Sequence, residues 1–408
     1  MSNVGSGSLR EPAVDAAESA EIGRHIPGLD GLRALAILLV IPHNLDLLRP
    51  PVPLALYPTV TLMHAGWIGV QLFFVLSGFL ITGNLLDTRG SENYFRAFFG
   101  RRALRILPLY YAVLLIAFII VPAFVAVPAE TNATRLNQLW LATFLINWVQ
   151  PFGAGVHGFT HFWSLAVEEQ FYLLWPFLVI LCRPMALAWA CGAVAIVALG
   201  VRIALEALHF PSDALYMFTI CRMDALALGA AAASLMRIPR AREWLARFKG
   251  RVALAAVLTL AATTVVTRGL VLDAASTQTW GYTLLSLGFA MVVLLTALPQ
   301  SGLPGRILSP LAWRPLRLIG RYSYGMYIFH LPLSVFVAFP LLQRMFPHIT
   351  TTVGLTYAVI MTVVTFCLAA VSYELFESPF LRLKGRLMPK NARSARARSS
   401  ADHPAATE

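Results

Sequence analysis

The segment His161-Phe162-Trp163-Ser164-Leu165-Ala166-Val167-Glu168-Glu169-Gln170-Phe171-Tyr172 places two adjacent carboxylates inside an apolar run. An acidic residue near the centre of a membrane helix costs about 2.5–3.5 kcal/mol, so such residues face a protein interior or a water-filled cavity. At about 100° per residue, His161, Ser164, Glu168 and Tyr172 form one polar stripe, and Glu169 points about 100° away from Glu168. Carboxylate, imidazole and hydroxyl groups on one face suit proton transfer to or from a bound hydroxyl compound. The same stripe also reads as a hydrogen-bonded structural network.

Two further constellations share this character. Arg33 and His43 lie on one apolar run, about 15 Å apart along a helix axis. They read either as a catalytic pair or as separate anchors at opposite interfaces. Ser323, Tyr327 and His330 fall on one face of a helix that should kink at Pro332, because proline offers no donor to its i−4 carbonyl. Tyr373 and Glu377 stand one turn apart near the end of the last run. Arg222 and Asp224, two residues apart, must face opposite sides of their helix and need separate partners. No Walker loop, dinucleotide glycine motif, HExxH or GxSxG is present, and Cys182, Cys191, Cys221 and Cys367 show no metal or disulfide spacing. No metal site is expected.

These residues need a scaffold, and composition identifies its solvent. Of 408 residues, 58% are hydrophobic and only 13% charged, against about 25% charged in soluble domains. Mean hydropathy is +0.69. The net charge of +12 is concentrated in short arginine-rich segments between apolar runs, which fits cytoplasmic loops rather than a nucleic-acid surface. Apolar runs occupy 32–48, 60–86, 104–127, 136–149, 162–181, 185–205, 215–236, 252–271, 281–299, 322–342 and 353–377. The run at 136–149 is too short for a span of about 20 residues. Basic segments at 89–105, 237–251, 306–321 and 382–398 require an even number of crossings between neighbours. The expected fold is therefore an all-α polytopic membrane protein of about ten transmembrane helices with both termini cytoplasmic. In it, 128–160 would lie outside, with 136–149 in an outer loop or re-entrant. Residues 1–25 and 384–408 read as polar, disordered cytoplasmic tails around a membrane domain at 26–383.

The strings GLDGLRALAILLVIPH, GVQLFFVLSGFLITG, RRALRILPLYY, HFWSLAVEEQFYLLWP, CRMDALALGA, GRYSYGMYIFHLPL and YELFESPFLR occur in that order between residues 28 and 383. Together they resemble the membrane-bound acyltransferase-3 family. The resemblance implies transfer of an acyl group, commonly acetyl from acetyl-CoA, to a carbohydrate, cell-envelope glycan or glycosylated small molecule. It implies Arg33 and His43 as a catalytic signature, Arg101, Arg102 and Arg105 near the donor, and functional roles for Glu168 and Glu169. Relatives that append an esterase-like domain are common, and this chain reads as a stand-alone transferase. Gln71 stands where the family often has Asp. Nine residues rather than the family's usual ten separate Arg33 from His43, which rotates the two side chains about 80° apart instead of about 20°. Pro42 weakens that turn, so a tightened turn within 38–43 is the expected compensation.

The resulting expectation is an O-acetyltransferase of the inner (plasma) membrane. It binds no permanent cofactor and uses cytoplasmic acetyl-CoA as co-substrate, with a glycan acceptor and no nucleic acid. Glu168, Glu169, Arg33 and His43 would form the catalytic group, His43 as base. His161, Ser164, Tyr172, Tyr327 and His330 would line the acceptor side. The rival reading is a glycan or lipid-linked sugar transporter, which would need the same polar cavity but no donor.

Overall fold

The computed structural model describes residues 26–45, 47, 52–124, 134 and 136–387. Ten long helices dominate: α1 (Pro27–Asn44), α2 (Ile68–Asp87), α3 (Tyr94–Leu115), α4 (Phe162–Leu181), α5 (Pro184–Ala207), α6 (Thr219–Leu235), α7 (Lys249–Val266), α8 (Tyr282–Ala297), α9 (Arg314–Leu333) and α10 (Thr351–Ser372). No strand occurs among the described residues. Nine of these helices, taken with the short helical pieces that continue them, are long and apolar enough to cross a membrane. The tenth, α1, has 18 residues and falls outside that count because Asp30, Arg33, His43 and Asn44 sit near its ends. The protein is an all-α polytopic membrane protein.

Glycine sets the tightest crossings. A Cβ on Gly78 of α2 would lie 1.9 Å from the Leu226 carbonyl oxygen of α6, and one on Gly229 would lie 2.0 Å from that of Val75. On the other side of the bundle, a Cβ on Gly320 of α9 would meet the Asp30 carbonyl oxygen of α1 at 2.0 Å. Small residues let membrane helices approach backbone to backbone, where lipid provides no hydrophobic drive between them. Crossings at Gly78, Gly229 and Gly320 place α1, α2, α6 and α9 at the centre, whereas α5 and α7 carry rows of exposed apolar side chains such as Trp189, Ile196, Leu254 and Val265.

The run at 136–149 does not form a span. It breaks into Gln138–Ala142 and Ile146–Val149 around Phe144, whose φ is 55°. Phe144 stacks on Tyr110, with ring centroids 4.4 Å apart. At Pro332 α9 continues to Leu333, and the chain then passes directly into a π turn, Ser334–Ala338. The tightened turn expected at 38–43 is absent, and α1 is α-helical through Asn44. Pro42 lies in its last turn, and the next backbone bond, from Leu45 to Ile41 at 3.1 Å, still forms, so nothing drives the chain into tighter geometry. Of the two predicted tails, residues 1–25 and 388–408 lie outside the described residues. Lys384–Leu387 forms a 3-10 turn, and a Cβ on Gly100 would come within 2.6 Å of the Leu387 side chain.

Candidate active site

α1, α2, α3, α4 and α9 surround an open cavity of about 100 Å³. Arg33 reaches it from α1, Ser77 from α2, and Arg102 and Arg105 from α3. Ser164, Glu168, Glu169 and Tyr172 reach it from α4, and Ser323, Tyr324 and Tyr327 from α9. The α4 stripe read from spacing thus faces a real void, and Glu169 reaches that void beside Glu168.

The cavity has two chemically different ends. At one, Arg33, Arg102 and Arg105 gather; the Arg102 guanidinium lies 5.3 Å from the Tyr172 ring centre, and Arg33 lies 3.6 Å from Asp30. At the other, the Tyr327 and Ser164 hydroxyls lie 2.6 Å apart, and the Tyr327 hydroxyl donates to the His161 carbonyl at 2.9 Å. Between them, Tyr172 donates to Glu168 at 2.7 Å, and its hydroxyl also pairs with Ser77 at 2.8 Å. Three clustered cations in a partly dry space are strong partners for phosphate oxygens.

Four expected site residues do not line the cavity. Arg101 turns to α2, donating to the Asn84 side chain at 2.9 Å and to the Ala97 carbonyl at 2.9 Å. His43 contacts the Met63 carbonyl through Nδ1 at 3.2 Å; a carbonyl only accepts, so that nitrogen carries the proton. His330 is fixed the same way, Nδ1 donating to the Tyr327 carbonyl at 2.7 Å, which leaves Nε2 to accept from Asn44 at 2.9 Å. His161 packs on His330 and Tyr327 with ring centroids 4.6 and 5.1 Å apart. His161 and His330 therefore form a buried layer directly behind Ser164 and Tyr327, with His161 placed just before α4 begins. Sequence reasoning missed Ser77, Tyr324 and Asn44. Ser77 was open to detection as the one hydroxyl within Phe73–Gly78, and Asn44 adjoins His43.

A second buried polar cluster lies apart from the cavity. Arg202 pairs with Asp224 at 2.8 Å, both side chains fully buried. Thr283 donates to the same carboxylate at 2.7 Å, and the Ala225 amide donates to its other oxygen at 2.8 Å. Arg222 donates to Gln71 and lies 4.0 Å from the Tyr282 ring centre. Arg222 and Asp224 take separate partners, as expected, although both lie against α8 at Tyr282 and Thr283. Among the described residues, no three His, Cys, Asp or Glu side chains cluster as a metal site would require.

A bundle of membrane helices enclosing a cavity with cations, carboxylates and hydroxyls defines a membrane enzyme or carrier. Comparison of the sequence with known families decides the lineage: residues 26–374 match the model described as an acyltransferase domain, and the chain belongs to that family. It is 31% identical over 381 residues to a putative peptidoglycan O-acetyltransferase, YrhL, of Bacillus subtilis, the match covering 89% of this chain and 56% of that protein. It is 26% identical to the O-acetyltransferase OatA of Staphylococcus aureus, covering 89% of this chain and 58% of the relative. The peptidoglycan O-acetyltransferase OatA of Listeria monocytogenes is 28% identical, covering 87% and 56%. The chain thus spans little more than half the length of these relatives. No solved structure matches it significantly.

Proposed function

We propose that this protein is an O-acetyltransferase of the plasma membrane that moves an acetyl group from cytoplasmic acetyl-CoA to a hydroxyl of a cell-envelope glycan. The observation that carries this reading is the asymmetry of the cavity, with Arg33, Arg102 and Arg105 at one end and Ser164 and Tyr327 at the other, joined through Glu168 and Glu169. Phosphate-rich CoA fits the cationic end, where guanidinium–phosphate bonds are charge-assisted. A polyhydroxyl acceptor fits the hydroxyl end. The family and the relatives' names support acyl transfer to an envelope glycan.

Catalysis then divides among groups already in place. Arg102 and Arg105 hold the donor phosphates. Arg33, deeper on α1, faces the acyl end and can stabilise charge developing on the thioester oxygen. Glu168 is held by Tyr172 and orients the acceptor. The test uses the purified full chain in lipid nanodiscs with radiolabelled acetyl-CoA and chitotetraose as the acceptor probe. Label on the saccharide is the expected result. Binding of the saccharide without use of the donor would reassign the protein as a glycan carrier.

A further inference from the structure

We propose that Glu169 takes the proton from the acceptor hydroxyl, a role that rests on the transferase reading above. The two neighbouring carboxylates are treated differently by the fold. Glu168 receives the Tyr172 hydroxyl at 2.7 Å. Glu169 has a buried Oε1 with no hydrogen-bond partner, although it lines the cavity. Three tyrosines close enough to act on it electrostatically withhold their hydroxyls. Tyr110 donates to the Leu141 carbonyl at 2.8 Å, Tyr111 to that of Ala142 at 2.7 Å, and Tyr324 to that of Ile106 at 2.8 Å. A buried carboxylate oxygen without a donor lacks the partner that buried polar groups nearly always have, and an acceptor hydroxyl entering the cavity is such a partner.

The histidines are placed less well for this step. His43 is turned to Met63, and both ring nitrogens of His330 are engaged. His161 is, like Glu169, without hydrogen-bond partners, but it stands behind Ser164 and Tyr327 and does not line the void. In the proposed step, the acceptor oxygen bonds to the acetyl carbonyl carbon while its proton passes to the Glu169 carboxylate. The C–S bond then breaks, and the proton goes to the departing CoA thiolate. Donor, acceptor, ester and thiol balance without another reagent.

The experiment measures transfer from labelled acetyl-CoA to chitotetraose by the full chain in nanodiscs, with CoA affinity measured in parallel by titration calorimetry. Glu169→Gln should lower transfer by about a hundredfold or more, the usual contribution of a general base. CoA affinity should stay within about threefold, because the lost group acts on the acceptor. In Glu169→Ala, added formate should restore transfer about tenfold by replacing the missing carboxylate, which relief of a packing defect would not do. Glu169→Gln that transfers within about threefold of wild type while wild type is active overturns this role alone. Loss of transfer in Glu169→Ala that formate does not relieve also overturns it. A wild-type protein that transfers no label overturns the transferase reading and this role with it.

Discussion

Two buried groups of charges sit in this bundle, and they are built on opposite plans. Around Asp224, both carboxylate oxygens are occupied, by Arg202 and Thr283 on one side and the Ala225 amide on the other. Arg222 is held by Gln71 and by the face of Tyr282, while its Nε and Nη1 have no hydrogen-bond partner. In the cavity, Glu169 keeps an unpartnered oxygen, and Arg102 and Arg105 line the void without an ion pair to a described carboxylate. Charge in a membrane helix therefore does not by itself mark function. Charge with unused bonding capacity beside a void does. The Asp224 cluster joins α5, α6, α8 and α2 away from the cavity, and under the proposed function the cavity group is the one whose bonding a ligand would complete.

The comparison breaks most directly at Asp224. Asp224→Ala strands Arg202 without its counter-ion and should destabilise the fold by about 3–5 kcal/mol. Thermal unfolding in detergent would show this as a marked fall in midpoint, whereas Glu168→Gln should leave the midpoint near wild type while lowering transfer. Next in size, Arg102→Ala and Arg105→Ala should each weaken CoA binding by about 1.5–3 kcal/mol, the range for hydrogen bonds to charged groups. Calorimetry with CoA checks this, and Arg101→Ala, which faces Asn84, should change affinity far less. His43→Ala should reduce transfer by only about tenfold or less, since the group is turned to Met63 and outside the cavity. Abolished transfer with an intact fold would return the role of base to His43.

Much of this architecture was legible in the sequence because a bilayer makes the rules strict. The length of each apolar run and the placement of arginines led to ten long helices, and the 136–149 run was excluded by its length and by the parity of crossings between basic loops. The cost of burying Glu168 and Glu169 pointed to the cavity before any coordinates. The stripe Ser164–Glu168–Tyr172 holds because α4 is regular through those positions. His161 is absent from the cavity lining because its ring packs on His330 and Tyr327. Arg101 parts from Arg102 and Arg105 for a simpler reason: adjacent helix residues point about 100° apart, and only tertiary packing decides which of them meets α2. Which carboxylate retains a free oxygen was beyond pattern reading. It depends on where Tyr110, Tyr111 and Tyr324 send their hydroxyls, and the carbonyls they find belong to distant turns. The absent tightened turn at Pro42 teaches the same limit, since a proline in a final helical turn disturbs little.

The central claim is that one cavity receives the donor at its arginine end and carries the reacting carbonyl to its carboxylates. A cryo-electron microscopy map of the full chain with a non-hydrolysable acetyl-CoA analogue tests this most directly. The account predicts the phosphates beside Arg102 and Arg105 and the acyl carbonyl in the space lined by Glu168 and Glu169, leaving room for an oxygen nucleophile about 3–3.5 Å from the carbonyl carbon. Density for the analogue outside the cavity, or with its acyl end turned away from Glu168 and Glu169, would contradict it.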